Sequence, residues 1–91
     1  MLVCELTTYR SLPSAEKREE HISYLRCVGA RGKLALSGRF ADAKGALIIW
    51  RVNSLTEAEE LARGDPYYQA GLIDYQLREW NLSIKFPENL E

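Results

Sequence analysis

Residues 45–53 read Gly45-Ala46-Leu47-Ile48-Ile49-Trp50-Arg51-Val52-Asn53, a nearly unbroken apolar run. Its shortness and its Ile, Trp and Val content predict a strand, and its lack of apolar/polar alternation predicts one buried on both faces. A strand of that kind lies inside a sheet, so the rest of the chain must supply its neighbours and cover both of its faces.

Working back from this run, Arg39 to Lys44 reads as a loop and Lys33 to Gly38 as a strand with Leu34 and Leu36 on one face. Gly32 closes a helix predicted over Ala15 to Ala30, which Ser14 opens as N-cap with Lys17 where a capping box would place Glu or Gln. Leu2 to Tyr9 predicts the first strand, with Leu2, Cys4 and Leu6 on one face and Val3, Glu5, Thr7 and Tyr9 on the other. Working forward, Ser54-Leu55-Thr56-Glu57 is a full capping box. It opens a helix with Leu55, Ala58, Leu61 and Ala62 on one stripe and Gly64 at its end. Asp65-Pro66-Tyr67-Tyr68 starts a short turn closed by Gly71, and Leu72 to Trp80 is the last strand. In the polar tail from Asn81 to Glu91, Leu82, Ile84 and Phe86 recur at every second position, a candidate for a short extra strand.

The order β-α-β-β-α-β predicts an α+β fold of the ferredoxin-like kind over residues 1–80, with an antiparallel four-stranded sheet. Right-handed crossovers put both helices on one face. The other face then stays open although the central strand is apolar on both sides, and a second copy related by a two-fold axis is the simplest cover, giving a homodimer.

Ninety-one residues, 46% hydrophobic and 27% charged, make one small globular domain. A formal net charge of −1 argues against a general nucleic-acid partner, which needs a concentrated basic face. No run approaches a membrane span, and the first residues lack the basic and apolar regions of a signal peptide, so no membrane association and a cytoplasmic setting are expected. Cys4 and Cys27 have no metal-binding or redox spacing and are expected to be reduced core residues. Phosphate-cradling, zinc-binding and nucleophile-elbow motifs are absent, and no metal or organic cofactor is expected.

His21 is the one histidine. Helical spacing puts it with Arg18, Leu25 and Val28 on the face that packs on the sheet. It reads either as a core histidine satisfied by one hydrogen bond or as a general acid/base, since imidazole titrates nearest neutrality. Asp65 before Pro66 reads as a helix cap or as the carboxylate that orients His21. Ser37, Gly38 and Arg39 can offer backbone N–H groups or a guanidinium to an anion, or form a solvated turn. Tyr67 can line a pocket or simply pack.

Glu16 to Leu25, Gly32-Lys33-Leu34-Ala35-Leu36-Ser37-Gly38, Ser54 to Ala58, Asp65-Pro66-Tyr67 and Ala70-Gly71-Leu72, in this order, resemble the YciI-like (YCII-related) family. The resemblance implies membership of the dimeric α/β-barrel group, in which two sheets pack face to face, and a histidine/aspartate-centred site that falls on His21 and Asp65. One relative is similar to a dehydrochlorinase acting on a chlorinated hydroxyquinol. The family usually has Gly-Pro where this chain has Gly38-Arg39, a change at the expected pocket mouth. The functional expectation is a small cofactor-independent enzyme. His21 and Asp65 would carry elimination or isomerisation of a small cyclic or aromatic substrate, with Ser37, Gly38, Arg39 and Tyr67 binding it. The rival is a non-catalytic dimeric module for ligand binding or interaction.

Overall fold

The structure, a computed structural model, describes residues 1–86. Strand β1 spans Leu2–Tyr9, helix α1 Ala15–Ala30, β2 Leu34–Arg39, β3 Gly45–Arg51, α2 Leu55–Gly64, α3 Pro66–Gln69 and β4 Ile73–Trp80. The sheet order is β2-β3-β1-β4, with every neighbouring pair antiparallel. This is the ferredoxin-like α+β arrangement that the element order predicts, with the apolar run 45–51 in an interior strand.

Alternation decides which side chains meet the helices. In β1, Val3, Glu5 and Thr7 are buried on the helix-covered face. Leu2, Cys4 and Leu6 point to the open face, opposite Arg51, Ile49 and Leu47 of β3. The core joins Val3, Ile48, Trp50 and Val52 to Leu25 and Val28 of α1 and Ala58 of α2. Ala58 and Ala62, both fully buried, let α2 approach the sheet closely. A 2.7 Å hydrogen bond from the Tyr24 hydroxyl to the Leu61 carbonyl ties α1 to α2.

The caps follow the sequence. Ser14 Oγ accepts from the Lys17 N–H at 3.1 Å, and Ser54 Oγ accepts from the Glu57 N–H at 3.1 Å. Glu57 reaches back to the N–H of Asn53, one residue before the cap, at 2.8 Å. Gly32 ends α1 with φ of 80°, a conformation a side chain would oppose.

Four expectations need correction. Leu34 and Leu36 do not share a face: a register shift between them leaves Leu34 opposite Trp50 in the core and Leu36 opposite Ile49 on the open side. A bulge adds a residue and so reverses the alternation beyond it. Cys27 is exposed, since it lies about 100° from Val28 around the helix, and Cys4 is half-buried on the open sheet face. Leu55 is exposed, although Ala58 and Ala62 on the same helix are buried. No strand forms over Asn81–Phe86, because β1 begins at Leu2 and its ladder to β4 ends with the pair Leu2–Trp80. The rest of the tail, residues 87–91, lies outside the described residues.

Gly45 opens β3 opposite Thr8, and a Cβ there would sit 2.0 Å from the Thr7 carbonyl oxygen. Gly45→Ala is therefore expected to cost about 1–3 kcal/mol by forcing β1 and β3 apart. Urea unfolding measures it, and an unchanged midpoint would contradict the close approach.

Candidate active site

The site begins with a short helix and its cap. Pro66 cannot donate a backbone N–H and suits a first helical position, and Asp65 before it caps α3 by accepting from the Tyr67 N–H at 2.9 Å. The same carboxylate also lies 2.9 and 3.0 Å, through its two oxygens, from His21 Nδ1. The two readings of Asp65 are therefore not exclusive in geometry. It caps α3 and bonds the imidazole, and it is 1% exposed while doing so.

His21 comes from the sheet-facing stripe of α1, which buries His21, Leu25 and Val28 and leaves Arg18 exposed. Its ring stacks on Tyr67, with centroids 3.9 Å apart and planes 5° from parallel. Tyr67 meets the ring of Tyr9 edge-on at 6.1 Å. Arg39, on the helix side of β2 opposite Ala46, donates from Nε to the Tyr9 hydroxyl at 3.2 Å and lies 5.3 Å above that ring. Of the expected binding residues, Tyr67 and Arg39 thus join the dyad in one chain of contacts. Ser37 and Gly38 sit on the exposed edge strand and enter none of these contacts. Gly38 keeps an ordinary strand φ, so no concave run of N–H groups forms there.

An ionised carboxylate only accepts hydrogen bonds, so Asp65 in that form places the ring hydrogen on Nδ1 and leaves a lone pair on Nε2. No protein group among the described residues bonds Nε2. His21 is 8% exposed.

The sequence reading passed over a second buried acid. Glu5, fully buried, accepts from Thr7 Oγ1 at 2.7 Å and from the Trp50 indole N–H at 3.0 Å. Burial pushes its carboxyl above the ordinary range. The bonds from Thr7 and Trp50 act against that, the charge of Asp65 adds to it, and His21 opposes it. The signal was available, since alternation along β1 puts Glu5 between Val3 and Thr7 on the helix side. Among the described residues, no three His, Cys, Asp or Glu side chains are grouped to hold a metal ion, and no helix is long and apolar enough to cross a membrane.

The family model of the YCII-related domain matches residues 1–81. The chain belongs to the YCII-related family. Its relative in Bacillus subtilis (strain 168), the uncharacterized protein YjpA, is 32% identical over 62 residues, 68% of this chain and 73% of that protein. Among solved structures, this YCII-related chain is similar to 5-chloro-2-hydroxyhydroquinone dehydrochlorinase (TftG) from Burkholderia phenoliruptrix AC1100, in complex with 2,5-dihydroxybenzoquinone. The TM-score is 0.75 at 21% identity, covering 91% of this chain and 96% of that one. That likeness establishes the shared fold.

A group whose folded pKa is raised favours folding below its unfolded pKa, and that contribution is lost as pH rises through the folded value. Glu5 is such a group. Glu5→Gln can keep both bonds, its amide oxygen accepting from Trp50 and its NH₂ donating to Thr7. The wild type should therefore lose more stability than Glu5→Gln between acid and neutral pH in urea titrations. Equal losses would show that the burial cost is absent.

Proposed function

We propose that the chain is a small acid/base enzyme in which His21 moves a proton and Asp65 holds its imidazole. The observation that carries this is the buried carboxylate of Asp65 at 2.9 and 3.0 Å from Nδ1, which leaves Nε2 as the working nitrogen. In an elimination, Nε2 takes a proton from the substrate. The C–H electron pair becomes a double bond, and the leaving group departs with its own pair. In an isomerisation, the same nitrogen returns the proton to a different atom. The fold neighbour's dechlorinating activity supports a small cyclic or aromatic substrate. A second reading, a non-catalytic ligand-binding module, is favoured by the tight stack of Tyr67 on a ring only 8% exposed.

The working unit of this proposal is a homodimer. The helix-free face of the sheet exposes Leu6, Leu36 and Trp80, each between 41% and 46%. Face-to-face packing of two sheets would remove this surface from water.

His21→Ala is expected to lower turnover of 5-chloro-2-hydroxyhydroquinone, or of a substrate found by screening its analogues, by roughly 10²–10⁴. Asp65→Asn should lower it too, and the double variant should lose little more than the worse single one. Simple addition of the two losses, or full activity in His21→Ala, would rule out the dyad. Ligand binding without turnover in the wild type would favour the module.

Sedimentation should give twice the chain mass, and Leu47→Asp, whose side chain faces Leu6 on the open side, should give one. A monomeric wild type would remove the dimer.

A further inference from the structure

A histidine that moves protons needs a path to its substrate, and the packing around His21 closes it on one side. The imidazole is 8% exposed, and the Tyr67 ring lies flat against it with centroids 3.9 Å apart. Tyr67 is itself 1% exposed, and the Tyr9 ring backs it edge-on. Two aromatic rings thus stand in series beside the imidazole.

The backbone under each ring is pinned. The Tyr67 N–H donates to Asp65 at 2.9 Å, its carbonyl accepts from the Leu72 N–H at 3.0 Å, and the Tyr9 N–H donates to the Lys44 carbonyl at 3.0 Å. The rings are held less firmly. Tyr9 is half-buried, and its hydroxyl accepts from Arg39 Nε at 3.2 Å. Arg39 is exposed, so water competes for that bond. The same guanidinium acts on the Tyr67 hydroxyl: burial raises that group's pKa, and Arg39 is among the groups that draw it back. One exposed side chain therefore clasps both rings. Next to it lies a hollow of about 460 Å³ between the turn after β1, Thr8 to Leu12, and the hairpin residues Asp42 to Lys44. Tyr9 lines this hollow, and His21 and Tyr67 do not.

We propose that Tyr9 and Tyr67 form a cover over His21 that Arg39 latches shut, and that substrate reaches the imidazole from the hollow beside Tyr9 when the latch releases. The inference rests on the His21–Asp65 reading for the task of the imidazole and adds the way in. Once Arg39 lets go, the Tyr9 ring turns into the hollow. Tyr67 then loses its backing, and its ring leaves the stack by turning on a fixed backbone. Asp65 keeps its bonds to Nδ1 and to the Tyr67 N–H throughout, so the dyad stays aimed while the cover moves. Side-chain turns of this kind are fast beside ordinary turnover. The low exposure of His21 is then the closed state of a site that opens.

The test needs no substrate, because the chain has one histidine and its reaction with diethyl pyrocarbonate reports His21 alone. The whole chain is treated at mildly alkaline pH, where imidazole is ordinarily neutral, and peptide mass spectrometry follows the ethoxycarbonyl group on His21. The folded wild type should react at least about ten-fold more slowly than the urea-unfolded chain. Arg39→Gln and Tyr9→Phe break the same bond, so each should speed the reaction about three- to ten-fold, and the double variant should be little faster than the faster single one. Tyr9→Ala, which removes the backing ring, should be faster still. Tyr9→Phe loses only a hydroxyl that faces an exposed side chain, which keeps the test open if Arg39→Gln misfolds. Urea well below the unfolding transition should leave all these rates nearly unchanged, since a local opening exposes little surface. Three results each overturn the proposal: a wild type as reactive as the unfolded chain, folded latch variants as slow as the wild type, or rates that climb with dilute urea as global unfolding does. If the latch variants react faster while His21→Ala keeps full turnover, the dyad falls and the cover stands. If the dyad variants lose turnover and the latch variants react as the wild type does, the cover alone falls.

Discussion

The carboxylate of Asp65 holds the site together. It is almost fully buried, and a buried charge is tolerated only where it is paired and hydrogen-bonded. Here it has two partners from different parts of the chain: the imidazole of α1 and the first N–H of α3. That pair of bonds fixes how α3 enters behind α2 and where Tyr67 lies. It also fixes the rotation of the His21 ring, and the stacked geometry of His21 on Tyr67 follows from sharing one acceptor.

Glu5 shows the opposite use of the same functional group. Its partners are neutral donors, so nothing nearby repays the loss of water as a full ion pair would. What it provides is direction. The Trp50 indole needs an acceptor once the ring is buried, and Glu5 supplies it from the neighbouring strand. The largest side chain of the core is thereby oriented by a polar contact as well as by packing. The price is a carboxyl whose ionised form burial disfavours, placed beneath the candidate site.

The two faces of the sheet differ in kind. On the helix side, the buried polar side chains Glu5, Thr7, His21 and Asp65 each have a hydrogen-bond partner. On the other side, apolar side chains of β1, β2 and β3 lie together without helical cover, and the chain leading from β4 borders a hollow of about 390 Å³ there. Dyad and open face are thus on opposite sides of one sheet. The dyad is assembled within a single chain, whatever covers the open face.

The sequence by itself determined the element order, the caps and the stripe that turns His21 inward, because these depend on local periodicity and on residues within a turn of one another. It also placed Asp65 as a cap, since a cap needs only its next two residues. It could not determine that this cap reaches an imidazole 44 positions away. Nor could it foresee the bulge that parts Leu34 from Leu36, the exposure of Cys27, or the meeting of Arg39, Tyr9 and Tyr67. Those depend on strand register and on how closely α1 and α3 settle over the sheet. Only the packed chain sets these distances, because long-range contacts are fixed by the combined fit of many side chains and by no local pattern.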